Sequence, residues 1–151
     1  MAYGIPTNLP YGVGTSSVTA NLADYYTVAS AASLTLTAAQ VVGNSASVDL
    51  SITGSTTITT FTTPTAKNIV AALSSGNFLP LVGTSWRLRI INTSGATTSA
   101  LTGGTGVTMA AFSSGAQTIA NNAWREWVVS VTAVGSTPTV SFQSVATGTW
   151  S

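Results

Sequence analysis

The chain carries its apolar residues in short pieces in which Val, Ile, Leu or an aromatic alternates with Ser, Thr or another polar residue. Ser85-Trp86-Arg87-Leu88-Arg89-Ile90-Ile91 is the clearest piece, and the turn cluster Asn92-Thr93-Ser94-Gly95 closes it. Ser33 to Thr37, Val48 to Thr53, Thr56 to Phe61, Trp124 to Val134 and Thr139 to Val145 repeat the pattern. Successive side chains of a strand point to opposite faces, so period-two alternation of β-branched and aromatic residues predicts half-buried strands. In the 85–91 piece this sets Trp86, Leu88 and Ile90 on one face and Arg87 and Arg89 on the other.

Gly54-Ser55 falls between two such pieces and predicts a β-hairpin. Gly135-Ser136-Thr137-Pro138 predicts a second, while Thr98–Leu101, Val107–Met109 and Gln117–Ile119 read as shorter strands divided by Gly-rich turns, notably Gly103-Gly104-Thr105-Gly106. One stretch departs from period two. Pro64 stands where a helix would begin, Thr63 is placed to cap it, and Ala66, Ile69, Val70 and Leu73 follow at helical spacing before Ser74-Ser75-Gly76. The expectation is an all-β, antiparallel β-sandwich or small barrel, jelly-roll-like, with one short helix. A Thr-rich β-solenoid competes with it, but Thr-x-Thr recurs only at irregular intervals, and no fixed-period repeat is expected.

Residues 1–28 differ from the rest. Gly4, Pro6, Pro10, Gly12 and Gly14 interrupt every periodicity, while Ile5, Leu9, Tyr11, Tyr25 and Tyr26 supply apolar and aromatic anchors that a solvated tail would not need. The segment reads as an extended N-terminal arm ahead of a single β-sandwich domain, 29–151, with a disordered terminus as the alternative.

Only 5% of the 151 residues are charged, where an ordinary soluble domain has about a quarter. Ser and Thr number 47, so hydroxyls replace charges as the source of polarity. Net charge is +1, and surfaces near neutrality associate readily because little repulsion separates them. Obligate assembly, as a homo-oligomer or on a partner, is expected. There is no Cys and no His, which removes disulfides and the usual ligands of zinc, haem and iron–sulfur sites, so no metal and no cofactor is expected. Mean hydropathy is +0.41, yet no apolar run approaches the roughly 18 residues a spanning helix needs, so no membrane role is expected. The first ten residues lack the basic start and apolar segment of a secretory signal, and synthesis in the cytoplasm is expected.

The inventory for catalysis is Asp24, Asp49 and Glu126 with Lys67, Arg87, Arg89 and Arg125. Paired-carboxylate chemistry needs two acids at a set separation, and these three fall in separate segments. Ser and Thr abound, but no His can activate them, and Lys67 is placed on an exposed helix position. Gly103-Gly104-Thr105-Gly106 lacks the Gly-Lys-Ser/Thr ending of a phosphate cradle and reads as a tight turn. No catalytic residue is expected, and the chain is not read as an enzyme.

Arg87, Arg89 and Arg125 without supporting lysines attract phosphate weakly, so no nucleic-acid partner is expected. Their expected role is pairing with Glu126 or Asp49, across the sheet or across a subunit interface. Trp86 is expected in the core. Trp124 and Trp127 point to opposite sides of a strand, so one of them joins the core and the other faces outward as an interface hot spot or a platform for a glycan. Arg87, Arg89, Trp124, Arg125, Glu126 and Trp127 are therefore the interface candidates.

The order Leu34-Thr35-Leu36-Thr37-Ala38-Ala39-Gln40, then Thr57-Ile58-Thr59-Thr60-Phe61-Thr62-Thr63-Pro64-Thr65-Ala66, then Trp86 to Ser94 and Gly103 to Thr108, resembles small virion proteins of tailed bacteriophages over roughly residues 33 to 147. The resemblance is to capsid decoration, or cement, proteins in particular. It implies a short, β-rich, trimeric protein on the outside of the head that clamps neighbouring major capsid subunits, with Ile5, Leu9, Tyr11, Tyr25 and Tyr26 on a capsid-binding arm. The alternative is a tail-fibre, spike or head-fibre tip that binds a host-surface glycan through an exposed Trp and hydroxyl-rich loops.

Overall fold

A computed structural model describes residues 24–28, 33–43, 47–52, 60–75, 80–93, 98–110 and 117–149, which form ten strands in two sheets and two short helices. The strands are β1 (Asp24–Val28), β2 (Ser33–Thr35), β3 (Ser47–Ile52), β4 (Thr60–Thr62), β5 (Ser85–Asn92), β6 (Ser99–Thr102), β7 (Val107–Ala110), β8 (Thr118–Ile119), β9 (Ala123–Ala133) and β10 (Thr139–Thr149). Helix α1 (Ala38–Val42) follows β2, and α2 (Ala66–Ser75) follows β4. One sheet has the order β1-β3-β5-β9-β10-β7 and the other β2-β4-β6-β8. The protein is mainly β, as its alternation predicts.

Both sheets are mixed, which corrects the antiparallel expectation. Strands β1, β3 and β5 are parallel neighbours in the six-stranded sheet, and β2, β4 and β6 are parallel neighbours in the other. The chain alternates between the sheets from β1 to β6, returning through α1 and then α2, so each parallel pair is joined by a crossover rather than a tight turn. The hairpin expected across Gly54-Ser55 is accordingly wrong: β3 and β4 lie in different sheets. The second hairpin is present. β9 and β10 pair antiparallel around Gly135–Pro138, with an irregularity in register between Ser144 and Ala146. Asp24–Val28, the end of the segment read as an arm, runs along β3 as the outermost strand of its sheet.

Two local signals explain the helices. Thr37 and Gln40 form a reciprocal cap: the Thr37 hydroxyl accepts from the Gln40 backbone N–H at 3.2 Å, and Gln40 Oε1 accepts from the Thr37 N–H at 2.9 Å. That cap ends the Ser33–Thr37 alternation and starts a second short helix, where only one helix was expected. In α2 the capping hydroxyl belongs to Thr65, which accepts from Asn68 N–H at 3.2 Å, and not to Thr63. Thr63 is buried and instead accepts the Gly104 N–H at 2.8 Å. The two helix starts, Thr37-Ala38-Ala39-Gln40-Val41-Val42 and Thr65-Ala66-Lys67-Asn68-Ile69-Val70, share a capping Thr, an Ala, and a buried β-branched residue, Val41 or Ile69. A strand–strand–helix unit thus occurs twice, at unequal spacing, since register places Val48 beside Asp24 and Leu88 beside Val48.

One apolar core draws on both sheets and both helices. Phe61 and Leu101 come from the four-stranded sheet, Leu88, Ile90, Trp127, Val129, Val140 and Phe142 from the six-stranded one, and Val41, Ile69 and Leu73 from the helices. Each such side chain contributes about 1.5–3 kcal/mol on burial. Polar atoms within it are matched: Trp86 Nε1 donates to the Val41 carbonyl at 2.8 Å, and Trp127 Nε1 donates to Gln117 Oε1 at 2.6 Å. Buried Asn92 donates through Nδ2 to the Ile119 and Ala120 carbonyls, tying the end of β5 to β8.

Candidate functional site

The outer face of the six-stranded sheet gathers four of the interface candidates, Arg87, Arg89, Trp124 and Glu126. Alternation on β5 buries Trp86, Leu88 and Ile90 and turns Arg87 and Arg89 outward. On β9 it buries Trp127 and Val129 and leaves Trp124 and Glu126 part-exposed on the side of the two arginines. Arg89 stands directly opposite Glu126 and Arg87 opposite Val128, so the Arg87–Glu126 ion pair, 2.7 Å from Nη1 to Oε1, is a diagonal cross-strand contact. Its two side chains differ in environment, with Arg87 62% exposed and Glu126 13%. Asp49 stands opposite Arg89 on β3, so Asp49, Arg89 and Glu126 occupy one row across three strands.

Trp124 is held between its neighbours. Gly148 faces it directly on β10, and a Cβ at that glycine would lie 2.7 Å from three atoms of the indole, so the ring rests across the glycine backbone. The Arg89 guanidinium sits 5.7 Å from the ring centroid, within cation–π range. The Thr147 hydroxyl donates to the Trp124 carbonyl at 3.0 Å and fixes the strand pair at that point. Few rotamers are left for Trp124 to lose on contact with a partner, which is the property of a preorganised anchor.

The remaining candidates fall elsewhere. Trp127 is fully buried, and it is Trp124 that takes the outward position. Arg125 shares the side of β9 that Trp127 occupies, donates from Nη1 to the buried Ser144 hydroxyl at 3.0 Å, and has a buried Nε with no hydrogen-bond partner among the described residues. It is thereby separated from Arg87 and Arg89, with which its charge had grouped it. Tyr25 and Tyr26 stand opposite Asp49 and Leu50 in the outermost strand, while Ile5, Leu9, Tyr11 and Trp150 lie outside the described residues.

One feature of this sheet escaped the sequence reading. Leu81 and Val82 occupy a turn closed by Thr84 N–H to the Leu81 carbonyl at 3.0 Å and pinned to β9 by Gly83 N–H to the Val131 carbonyl at 2.9 Å. They are 60% and 62% exposed, and Val134, at the same end of β9, is 44% exposed. Two adjacent aliphatic residues leading into a Gly-containing turn, Leu81-Val82-Gly83-Thr84, were the available signal.

Among the described residues no helix is long and apolar enough to cross a membrane, and no three His, Cys, Asp or Glu side chains converge as metal ligands do. No family model, no curated protein and no solved structure matches this chain.

Proposed function

We propose that this chain is a non-enzymatic structural subunit of a tailed-phage virion, a decoration protein that binds the major capsid protein as a homo-oligomer, expected to be a trimer, on the capsid surface. The outer face of β5 and β9 is its contact surface, within a two-layer β-sandwich whose sheets share one core. The observation that carries the reading is the concentration of scarce polar chemistry: in a chain with seven charged residues, Arg87, Arg89 and Glu126 lie together on one face, around a part-exposed Trp124 seated on Gly148. Trp and Arg are the residues that dominate interface energetics, and few other ionic groups would have to be desolvated when this surface is covered. The exposed Leu81, Val82 and Val134 add apolar area at one end of the same sheet.

The test is copy number in purified particles. A decoration protein approaches stoichiometry with the major capsid protein, and Trp124→Ala leaves it folded but lowers its capsid affinity at least about tenfold, the size expected for one hot-spot residue. A few copies per particle would instead support the second reading, a fibre or spike tip that binds a host-surface glycan. The part-exposed indole of Trp124 favours that alternative, because an accessible ring can stack on a sugar.

A further inference from the structure

A cavity of about 410 Å³ lies away from the Trp124 face, where α2, the Gly-rich turn and the β9–β10 hairpin meet. Its lining includes Lys67, Thr105, Gly106, Ser136, Thr137 and Pro138. The three segments are locked together. Ala66 N–H donates to the Thr105 carbonyl at 2.9 Å, and Val140 N–H donates to the Gly106 carbonyl at 3.1 Å. Gly106 has φ +77°, and a Cβ there would come within 3.0 Å of both the Ala66 Cβ and the Pro138 carbonyl oxygen, so only glycine lets the turn close this gap. The walls are therefore set by backbone contacts and stand ready before any ligand arrives.

The chemistry of the lining is specific. Lys67 is the only lysine of the chain, it is exposed, and among the described residues it forms no ion pair. The hydroxyls of Thr105, Ser136 and Thr137 make no hydrogen bond to another described residue, unlike those of Thr65 and Thr139, which are engaged with Asn68 and Thr132. Most of the exposed lining is apolar, and Pro138 is among the residues that form it. A fixed concavity with one cation, three uncommitted hydroxyls and an apolar patch fits a ligand that is itself hydroxyl-rich, has an apolar ring face and carries one negative charge.

We propose that this cavity binds an acidic sugar residue, a hexuronate or a similar carboxylate-bearing unit of a surface polysaccharide, with its carboxylate on Lys67 and its hydroxyls on Thr105, Ser136 and Thr137. The site holds whether the chain decorates a capsid or forms a fibre tip, because no residue of the Trp124 face takes part in it.

The probes are the methyl glycosides of glucuronic acid and of glucose, titrated into the full-length protein and followed by nuclear magnetic resonance. The uronate binds saturably and perturbs residues 65–67, 105–106 and 136–139, and the neutral sugar binds about tenfold more weakly, the worth of one charge-assisted hydrogen bond. Lys67→Gln, at an exposed position, removes most of that difference by weakening the uronate; Ser136→Ala with Thr137→Ala weakens both sugars; Trp124→Ala changes neither. Equal uronate affinity in Lys67→Gln, or perturbation centred on other residues, overturns the proposal. So does acetate binding as tightly as the uronate, which would mark the lysine as a general anion contact, and so does the absence of saturation at millimolar uronate. Capsid copy number tests the decoration reading separately, so either can fail without the other.

Discussion

At Gly104 an added side chain meets backbone at closer range than at Gly83, Gly103, Gly106 or Gly135. A Cβ there would lie 2.5 Å from the Thr63 carbonyl oxygen, 2.9 Å from that of Pro64 and 3.1 Å from the Pro64 carbonyl carbon, all of them backbone atoms that no rotamer change can move aside. The same residue donates its N–H to the Thr63 hydroxyl at 2.8 Å, and Thr63 in turn donates its N–H to the Thr102 carbonyl at 2.9 Å. Relief of the clash in Gly104→Ala requires the turn to retreat from the start of α2, which stretches or breaks the bond to Thr63. Overpacking of about 1–3 kcal/mol and a lost hydrogen bond of about 1 kcal/mol sum to roughly 2–4 kcal/mol of destabilisation. For a protein of this size each kcal/mol lowers Tm by about 2–4 °C, so thermal unfolding followed by circular dichroism should drop by roughly 4–16 °C. Gly135→Ala is the contrasting variant. Gly135 has positive φ, +102°, which Gly104 does not, and nothing lies within 4 Å of its added Cβ, so it carries only the backbone cost of about 1–2 kcal/mol. A Gly104→Ala protein no less stable than Gly135→Ala would refute the close approach of this turn to residues 63 and 64.

Three further outcomes follow from the same geometry. Gly148→Ala pushes the Trp124 ring off its seat and away from Arg89; near-ultraviolet circular dichroism should change, while stability falls by no more than about 1–2 kcal/mol because a side chain, not backbone, gives way. A double-mutant cycle on Arg87→Ala and Glu126→Ala should return about 0.2–1 kcal/mol at low salt and shrink in 1 M NaCl, since Arg87 is largely exposed; a salt-independent coupling would contradict this. Arg125→Met combined with Ser144→Ala should be at least as stable as the parent in urea unfolding, because it removes a buried Nε that has no partner among the described residues along with the hydroxyl that would otherwise be orphaned. A loss above about 2 kcal/mol would show that Arg125 has a counter-group in the folded protein.

Strand identity was legible wherever alternation involved residues of unequal size. Trp86, Leu88 and Ile90 against Arg87 and Arg89 admit one facing only, and the β9–β10 hairpin is marked by its own turn residues. The opposed faces of Trp124 and Trp127 follow from the same parity, and parity would also have separated Arg125 from Glu126 had charge not suggested a common surface. Pairing in the first half of the chain was not legible. Val48, Leu50 and Ile52 present to a neighbouring strand the same pattern that Leu34 or Phe61 presents, so nothing local distinguishes a hairpin partner from a parallel one reached through the other sheet. Helix α1 was hidden because Thr37 continues a β-like alternation while serving as the cap that ends it. The cavity was invisible for a related reason: Lys67, Thr105 and Ser136 are far apart in the chain, and each alone reads as ordinary surface.

The alternation of β1 to β6 between the sheets has a mechanical consequence. β1 lies parallel to β3 with five residues in register, from Asp24 beside Val48 to Val28 beside Ile52, and its N-terminal end leads directly to the residues that precede it. A tether pulling from that side along the strand axis would load the cross-strand bonds together, in shear, rather than opening them one at a time. The two sheets are also stitched by every crossing of the chain, so neither sheet can leave as a unit. An anchor attached ahead of Asp24 would therefore hand its load to the whole domain at once.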